Sequence, residues 1–529
     1  MLLDDLLAAL SGGDGATAAE LAGRLGTGVD EVSFALFASH GRFWSDGGSP
    51  PRWWAAPTAD ASARAAALAR ASALARAATS ARAGGGRTGS RQPLHLYSWQ
   101  EDALAAWSRK GARGVVEAVT GTGKTMVGVA AALGELERRG QVLVLVPTVE
   151  LQRQWLAELE PRLPEGRSAG RLGAGAGDTL VTHDVLVAVV NSARAIDARP
   201  IRRGGLLVAD ECHRYGSAVN RLALDGRFTR RLGLSATYAR DDDGVAAFLD
   251  PYFGGTCFRL GYRRAVSEGI TARFTVTLLG VSFAPAERAR YDELTELMGR
   301  LWAILVAEHG LPREPFEELL RRVALLAEGE GEGSRLARAY RQALLERRRL
   351  LAETPAKDAA LALTAQAVRE ADRAIVFTQS IATSERACTV LRAHGLRAAA
   401  VHSLLSAGDR QEALRRFASG GLDALAAPRV LDEGVDVPAA DLGIVVGASR
   451  SRRQMIQRMG RVLRRKADGR RARFAVLFVE GTVEDPRLGA HETFLEEVTD
   501  VADRVACFPP PAVSESHEAV LDTLRPSQP

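Results

Sequence analysis

The chain has 529 residues, 46% hydrophobic and 25% charged, with a formal net charge of +5. That length predicts roughly three or four domains of ordinary soluble composition, and no apolar run approaches the ~18 residues of a membrane span. Mild basicity permits a nucleic-acid partner without requiring one. The cysteines at 212, 257, 388 and 507 form no CxxC pair, which argues against a disulfide framework, a zinc site or an iron–sulfur cluster. The opening MLLDDLLAAL has two acids and no early Arg or Lys, so a cytoplasmic protein without a secretory signal is expected.

Residues 1–57 predict a small unit. Leu2 to Leu10 reads as a short helix, and Thr17-Ala18-Ala19-Glu20 has capping-box spacing for a second helix ending near Leu25. Val29, Val32, Leu36 and Phe37 mark the apolar face of a third. GRFWSDGGSPPRWWAA reads as two strands around a Gly/Pro turn. Three helices and a hairpin resemble a winged helix-turn-helix, with a helical packing or partner-docking domain as the alternative. Asp30 and Glu31 on the third helix would meet DNA with acids, whereas Arg42 and Arg52 could serve from the wing. Residues 58–92 form an Ala/Arg-rich linker. Its first four arginines, at 64, 70, 76 and 82, are six apart and scatter around a helix instead of forming a stripe.

From 93 to 270, short apolar runs (GVVEAV, VLVLVP, LLVAD, RLGLSAT) alternate with helical stretches. Such runs form buried parallel strands. The pattern recurs over 356–485 with RAIVFTQ, LRAAAVH, LGIVVGA and FAVLFVEG. The expected fold class is therefore α/β with two tandem lobes. Residues 271–355 begin the second lobe and carry a helical insertion, a thumb-like arm. Residues 486–529 hold no chemical motif and read as a loose tail.

The run AVTGTGKT, Ala118 to Thr125, lies where a strand turns into a helix. A loop of small residues there can turn its backbone N–H groups inward and bind phosphate, aided by the positive end of the helix. Gly121, Thr122 and Gly123 would let the backbone approach. Lys124 would reach the β and γ phosphates, and Thr125 would offer its hydroxyl to Mg²⁺. Breaking ATP also needs a carboxylate for the metal and a group that orients water. LLVADECH supplies both at a strand end: Asp210 for Mg²⁺ and Glu211 for the water, with His213 placed to link neighbouring motifs.

These residues, over about 93–485, resemble in order the superfamily 2 helicases and translocases, whose lobes are RecA-like. Gln100 in LYSWQEDAL resembles the adenine-reading motif, and PTVELQRQW, Pro147 to Trp155, the first strand-gripping motif. Ser235-Ala236-Thr237 resembles the motif that couples the lobes. AIVFTQS, VHSLLSAGDRQEALRRF and RVLDEGVDVP resemble second-lobe motifs, with Gly434 and Asp436 implied to face the nucleotide. QRMGRVLRR comes last. It implies catalytic roles for Gln457, Arg461 and Arg464; the two arginines, three apart, share a helix face. Guanidinium fingers of this kind stabilise the charge that spreads over a transferring phosphoryl group. The resemblance further implies strand contacts at Pro147, Thr148 and Thr378.

Within the superfamily, SRRQMIQRMGRVLRRKADG is similar to the final motif of the xeroderma pigmentosum group B type of DNA helicase. That family carries Arg-Glu-Asp after the coupling motif; here Arg240-Asp241-Asp242 stands there. The loop is implied to help open DNA, with a solvated acidic turn as the alternative. ATP and Mg²⁺ are the implied cofactors and single-stranded, duplex or forked DNA the partner, with 3′-to-5′ polarity. Protein partners would dock on residues 1–57 or on the helical insertion. A helicase and a duplex translocase of a restriction-type defence complex share every motif, whereas the intact Glu211, Arg461 and Arg464 count against a third reading, a non-catalytic nucleotide-switched scaffold. Excision repair and phage defence are both compatible settings.

Overall fold

The computed structural model describes residues 6, 8–10, 16–25, 43–45, 52–55, 92–194, 205–240, 242–313, 316–428, 440–447, 455, 459–460, 462–463, 465, 468–490, 492–510 and 517–526. Near the N-terminus, strand β1 (Ala16–Thr17) leads into helix α1 (Ala18–Leu25). β2 (Phe43–Ser45) and β3 (Arg52–Ala55) pair antiparallel, and β1 adds to β3. The expected third helix, with Asp30 and Glu31, and nearly all of the linker lie outside the described residues.

The first lobe starts with α2 (Ser98–Arg109), β4 (Arg113–Ala118), α3 (Lys124–Glu137), β5 (Gln141–Val146) and α4 (Val149–Leu159). It continues through β6 (Ala169–Gly173), β7 (Ala176–Gly177), β8 (Val185–Val189), β9 (Gly205–Asp210), β10 (Arg230–Ser235) and β11 (Thr256–Leu260). These strands make one sheet in the order β11-β4-β10-β9-β5-β8-β6-β7, parallel except at β6–β7. The reason for the sheet is visible in its strands. Val142, Val144 and Val146 of β5 enter one apolar core, and Leu143 and Leu145 the core on the opposite face. Such runs lack polar alternation because helices cover both faces.

The order matters for function. The first strand, β4, lies beside β10, which lies beside β9. Three loops far apart in sequence therefore leave adjacent strand ends on one edge of the sheet. In open α/β sheets that is where ligands bind.

The second lobe holds β12 (Phe274–Val281), β13 (Ala374–Phe377), helix α8 after the arm helices described next, and β14 (Ala398–Ala400) to β17 (Ala472–Val479). The arm between β12 and β13 has α5 (Pro285–His309), α6 (Phe316–Glu328) and α7 (Glu332–Glu353); α8 spans Ile381–Ala393. The arm buries its own core, including Leu294, Leu301, Leu305, Val323 and Tyr340. Its root is held to the lobe by Tyr291, whose hydroxyl accepts from Val483 N at 3.0 Å.

The second sheet runs β14-β15-β13-β16-β17-β12-β18, all parallel, with β15 at Ala424–Ala427, β16 at Leu442–Val445 and β18 at Arg504–Phe508. Here the structure departs from the expected loose tail. β18 pairs with β12 along five residues. After α9 (Glu492–Thr499) and β18, α10 (His517–Leu524) buries Val520 and Leu524. Arg473, itself buried against Asp441, donates to Leu524 O at 2.6 Å. The tail completes the sheet because β12 would otherwise be an open, apolar edge. Its elements are short and separated by prolines, so no periodicity announced them. Among the described residues no helix is long and apolar enough to cross a membrane.

Candidate active site

The loop after β4 turns on two glycines in the left-handed region, Gly121 at φ 82° and Gly123 at φ 83°, where side chains bring strain. Gly123 is the N-cap of α3 and no side chain caps the helix. Its first backbone N–H groups are thus left without the usual Ser, Thr or Asp partner, an arrangement suited to an anion. Thr122 turns inward, its hydroxyl donating to Val119 O at 2.7 Å. Gln100 braces the loop from α2: its Oε1 accepts from Tyr97 N at 2.8 Å and its Nε2 donates to Gly123 O at 3.0 Å. It is buried, and these bonds give it a loop-setting part whatever it does for a base.

Lys124 opens α3, and its Nζ donates to Ala118 O at 2.8 Å. Burial lowers its pKa, and the negative charges of Glu211 and Asp210 work against that fall. Thr125 follows on the same first turn, half-buried. Asp210 ends β9. Burial raises its pKa, opposed by a hydrogen bond from Trp155, by Lys124 and by the Glu211 N–H. Both its oxygens are engaged: Oδ2 accepts from Trp155 Nε1 at 2.8 Å and Oδ1 from Glu211 N at 3.0 Å. A buried carboxylate and a half-buried lysine beside an uncapped helix start are a set that suits a phosphate-bound divalent cation. Asp210 and Thr125 would hold it.

Glu211 adopts φ 48°, ψ 50°, a left-handed conformation costly for a residue with a Cβ and found at functional sites. The turn points the next residues back toward β10. There His213 Nδ1 lies 3.0 Å from Ser235 Oγ and 3.5 Å from Glu211 Oε2. Ser235 Oγ donates to Thr237 O at 2.7 Å and accepts from Thr237 N. Asp-Glu-Cys-His and Ser-Ala-Thr are therefore one hydrogen-bonded unit, with Ala236 buried between. Burial pushes the Cys212 thiol well up, so it is an inert packing group.

Arg240 is tied to the same unit. Its Nη1 donates to His213 O at 2.6 Å, and it forms a two-point pair with Asp242. The loop also touches the turn through glycines: a Cβ on Gly244 would fall 2.5 Å from Gly216 O. Asp241 lies outside the described residues. Pro147 and Thr148 sit half-buried at the start of α4, where Thr148 Oγ1 caps Leu151 N at 3.3 Å. Thr378 differs from the expected strand contact. It is fully buried, and its hydroxyl lies 2.6 Å from Ser384 Oγ, so the side chain shapes the turn after β13 instead of meeting a strand.

Gln457, Arg461, Arg464, Gly434 and Asp436 are outside the described residues. Their neighbours are informative. Gly460 is buried, and a Cβ built on it would lie 1.6 Å from Thr120 Oγ1 and 2.0 Å from Thr120 Cβ. Only glycine lets this segment of the second lobe rest on the phosphate loop of the first. Sequence reasoning placed Trp155 only at the end of the strand-gripping motif and missed its bond to Asp210 and the meaning of Gly128: a Cβ there would fall 2.3 Å from Trp155 Cη2. A glycine inside an otherwise apolar helix was the available signal.

Comparison with known proteins agrees with this geometry. The family described as "Type III restriction enzyme, res subunit" matches residues 93–240, and "Helicase conserved C-terminal domain" matches 357–466. The chain is 28% identical over 385 residues to the DNA 3'-5' translocase XPB2 of Sulfurisphaera tokodaii, covering 71% of this chain and 80% of that one. It is 30% identical over 397 residues to a Rad25-type DNA 3'-5' helicase of Halobacterium salinarum, 74% of this chain and 55% of that one. Against the DNA 3'-5' helicase XPB of Mycobacterium tuberculosis the identity is 25%, with 76% and 65% covered. The chain thus spans four fifths of the first relative but little over half of the second.

In fold it is similar to the ATP-dependent Type ISP restriction-modification enzyme LlaBIII bound to DNA, with a TM-score of 0.51, 18% identity and 82% of this chain and 33% of that chain covered. The Pyrococcus furiosus Hef helicase domain gives a TM-score of 0.50 at 20% identity, covering 74% of this chain and 97% of that one. The protein is a superfamily 2 helicase-type ATPase with two RecA-like lobes. Within that class it is similar to the XPB-type DNA 3'-5' helicases and translocases.

Proposed function

We propose that the chain is an ATP-driven DNA motor. The observation that carries this reading is the contact of Gly460 with Thr120, because it brings a glycine of the second lobe's last motif against the phosphate loop. Arg461 and Arg464 follow that glycine in sequence and would meet the γ-phosphate from the second lobe. Lys124 and the uncapped start of α3 hold the phosphates. Asp210 and Thr125 would hold Mg²⁺, which supplies charge neutralisation between the β and γ oxygens. Glu211 orients the attacking water. The hydrogen bonds from His213 through Ser235 to Thr237 then carry the state of this site toward the lobe boundary. DNA lies across both lobes, gripped mainly through phosphates, with Pro147 and Thr148 at one contact. Binding is accordingly sequence-tolerant and weakens steeply with salt. The Arg240-Asp242 loop acts on DNA only through its tie to the His213 turn. Four free cysteines support a reducing, cytoplasmic setting. The winged-helix reading of residues 1–57 and docking of proteins on the arm belong to the same proposal.

A second reading, a duplex translocase that does not separate strands, is favoured by the match to a restriction-enzyme family over 93–240 and by the likeness to LlaBIII. The purified chain should hydrolyse ATP faster with DNA than without it, and little faster with RNA. Strand displacement on a 3′-tailed fork, run beside triplex displacement on a blunt duplex, separates helicase from translocase. A Lys124→Ala protein should show background turnover in all of these. DNA-independent, unstimulated hydrolysis would sink the motor reading.

A further inference from the structure

Trp155 lies within α4 and is fully buried, yet it is not placed like an ordinary core tryptophan. Trp107, also buried, gives its indole N–H to a backbone carbonyl, Arg231 O, at 3.0 Å. Trp155 instead gives its N–H to Asp210 Oδ2 at 2.8 Å, a charge-assisted bond to a carboxylate. The far edge of the ring meets Gly128, four residues and one turn beyond Lys124, in space that a Cβ at 128 would also share with Leu234 of β10. One rigid side chain therefore lies against α3 and bonds the end of β9, the elements that carry the phosphate loop and Asp210. Its own helix begins at Thr148, two turns and roughly 10 Å away.

We propose that Trp155 is a positioning residue: its indole N–H fixes the Asp210 carboxylate in the orientation that a nucleotide-bound divalent cation requires. This rests on the reading of Asp210 as the residue that holds that cation. The other oxygen is set by the Glu211 N–H, within the chain's own turn. Oδ2 depends on the indole, so removing the N–H frees the carboxylate to rotate without emptying the core. Losing an outer-shell partner of this kind typically weakens metal affinity about 10- to 100-fold.

The test compares wild type with Trp155→Phe, with Asp210→Asn, and with a chain carrying benzothienylalanine at 155, which keeps the bicyclic shape and replaces N–H by sulfur. Mn²⁺ binding is followed by electron paramagnetic resonance with a non-hydrolysable ATP analogue present. Metal-free binding of a fluorescent ATP analogue is followed separately. The Mn²⁺ dissociation constant should rise about 10- to 100-fold in both Trp155 variants, with metal-free nucleotide binding unchanged. A purely structural tryptophan would leave the benzothienylalanine protein within twofold of wild type while Asp210→Asn still weakens Mn²⁺. That result overturns the inference and leaves the Asp210 reading standing. Unchanged Mn²⁺ binding in Asp210→Asn as well overturns both. If Trp155→Phe fails to fold, the isosteric chain decides alone.

Discussion

Each lobe contains a buried parallel strand that turns directly into a helix, and the two turns are finished in opposite ways. After β4 the helix starts at Gly123, in a left-handed conformation with no side-chain cap. After β13 it starts at Ser380, whose hydroxyl accepts from Thr383 N at 3.1 Å while Ser380 N donates to Thr383 Oγ1 at 3.0 Å. Thr378 and Ser384 close the same turn from below. The second lobe has thus satisfied its helix start internally. The first lobe has left its own without a side-chain cap, with a half-buried lysine and a buried aspartate beside it. The two turns therefore differ in one physical respect: the one after β4 leaves its helix start without a side-chain cap. The second lobe contributes from outside, through the segment around Gly460.

That asymmetry is broken most severely at Arg461. Arg461→Ala should lower turnover by about 10³- to 10⁵-fold with little change in nucleotide affinity, because the guanidinium serves the transition state and not the ground state. A single-turnover rate near wild type would mean that the second lobe has no chemical part. Glu211→Gln comes next. It should bind ATP normally and hydrolyse it about 10²- to 10⁴-fold more slowly, the range for loss of a positioned base. Normal hydrolysis would remove Glu211 from the mechanism and leave its strained backbone unexplained.

The contact between the lobes gives a smaller effect with a built-in control. Gly460→Ala places a methyl group 1.6 Å from Thr120 Oγ1, so the lobes must separate or the loop must shift, at a cost of about 1–3 kcal/mol. Turnover should fall about 5- to 160-fold by the same measure. Thr120→Gly in the same chain removes both clashing atoms and should restore much of the loss. Non-additivity in this double-mutant cycle is the signature of direct contact. Strictly additive losses would show that Gly460 acts elsewhere.

How far the sequence foretold these features depends on whether the physics is local. The two sheets were legible because both faces of each strand are buried, so the apolar runs are continuous. Gly121, Gly123, Lys124, Asp210 and Glu211 could be proposed from sequence because a phosphate site would need those groups next to strand ends. The β4-β10-β9 adjacency that brings them together is topological, and no window of sequence contains it. The bond from Trp155 was invisible for the same reason: its partner is 55 residues away. Thr378 misled because a threonine after a strand can face a ligand or cap its own turn, and only packing decides. The C-terminal strand and helix were missed because they are stabilised by β12 and Arg473, not by their own pattern.

The smallest predicted effect examines the closed turn itself. Ser380→Ala removes the cap from α8 and should destabilise the chain by about 1 kcal/mol in chemical denaturation, whereas Ser380→Gly should cost only a few tenths. Neither should move the KM for ATP or the DNA-stimulated rate, because that helix start already serves its own amides. The order Ala worse than Gly distinguishes loss of a cap from loss of packing, since packing would be hurt more by glycine. A shift in KM with either substitution would place the β13 turn inside the nucleotide pocket, and the two strand-to-helix turns would then be partners in binding instead of opposites.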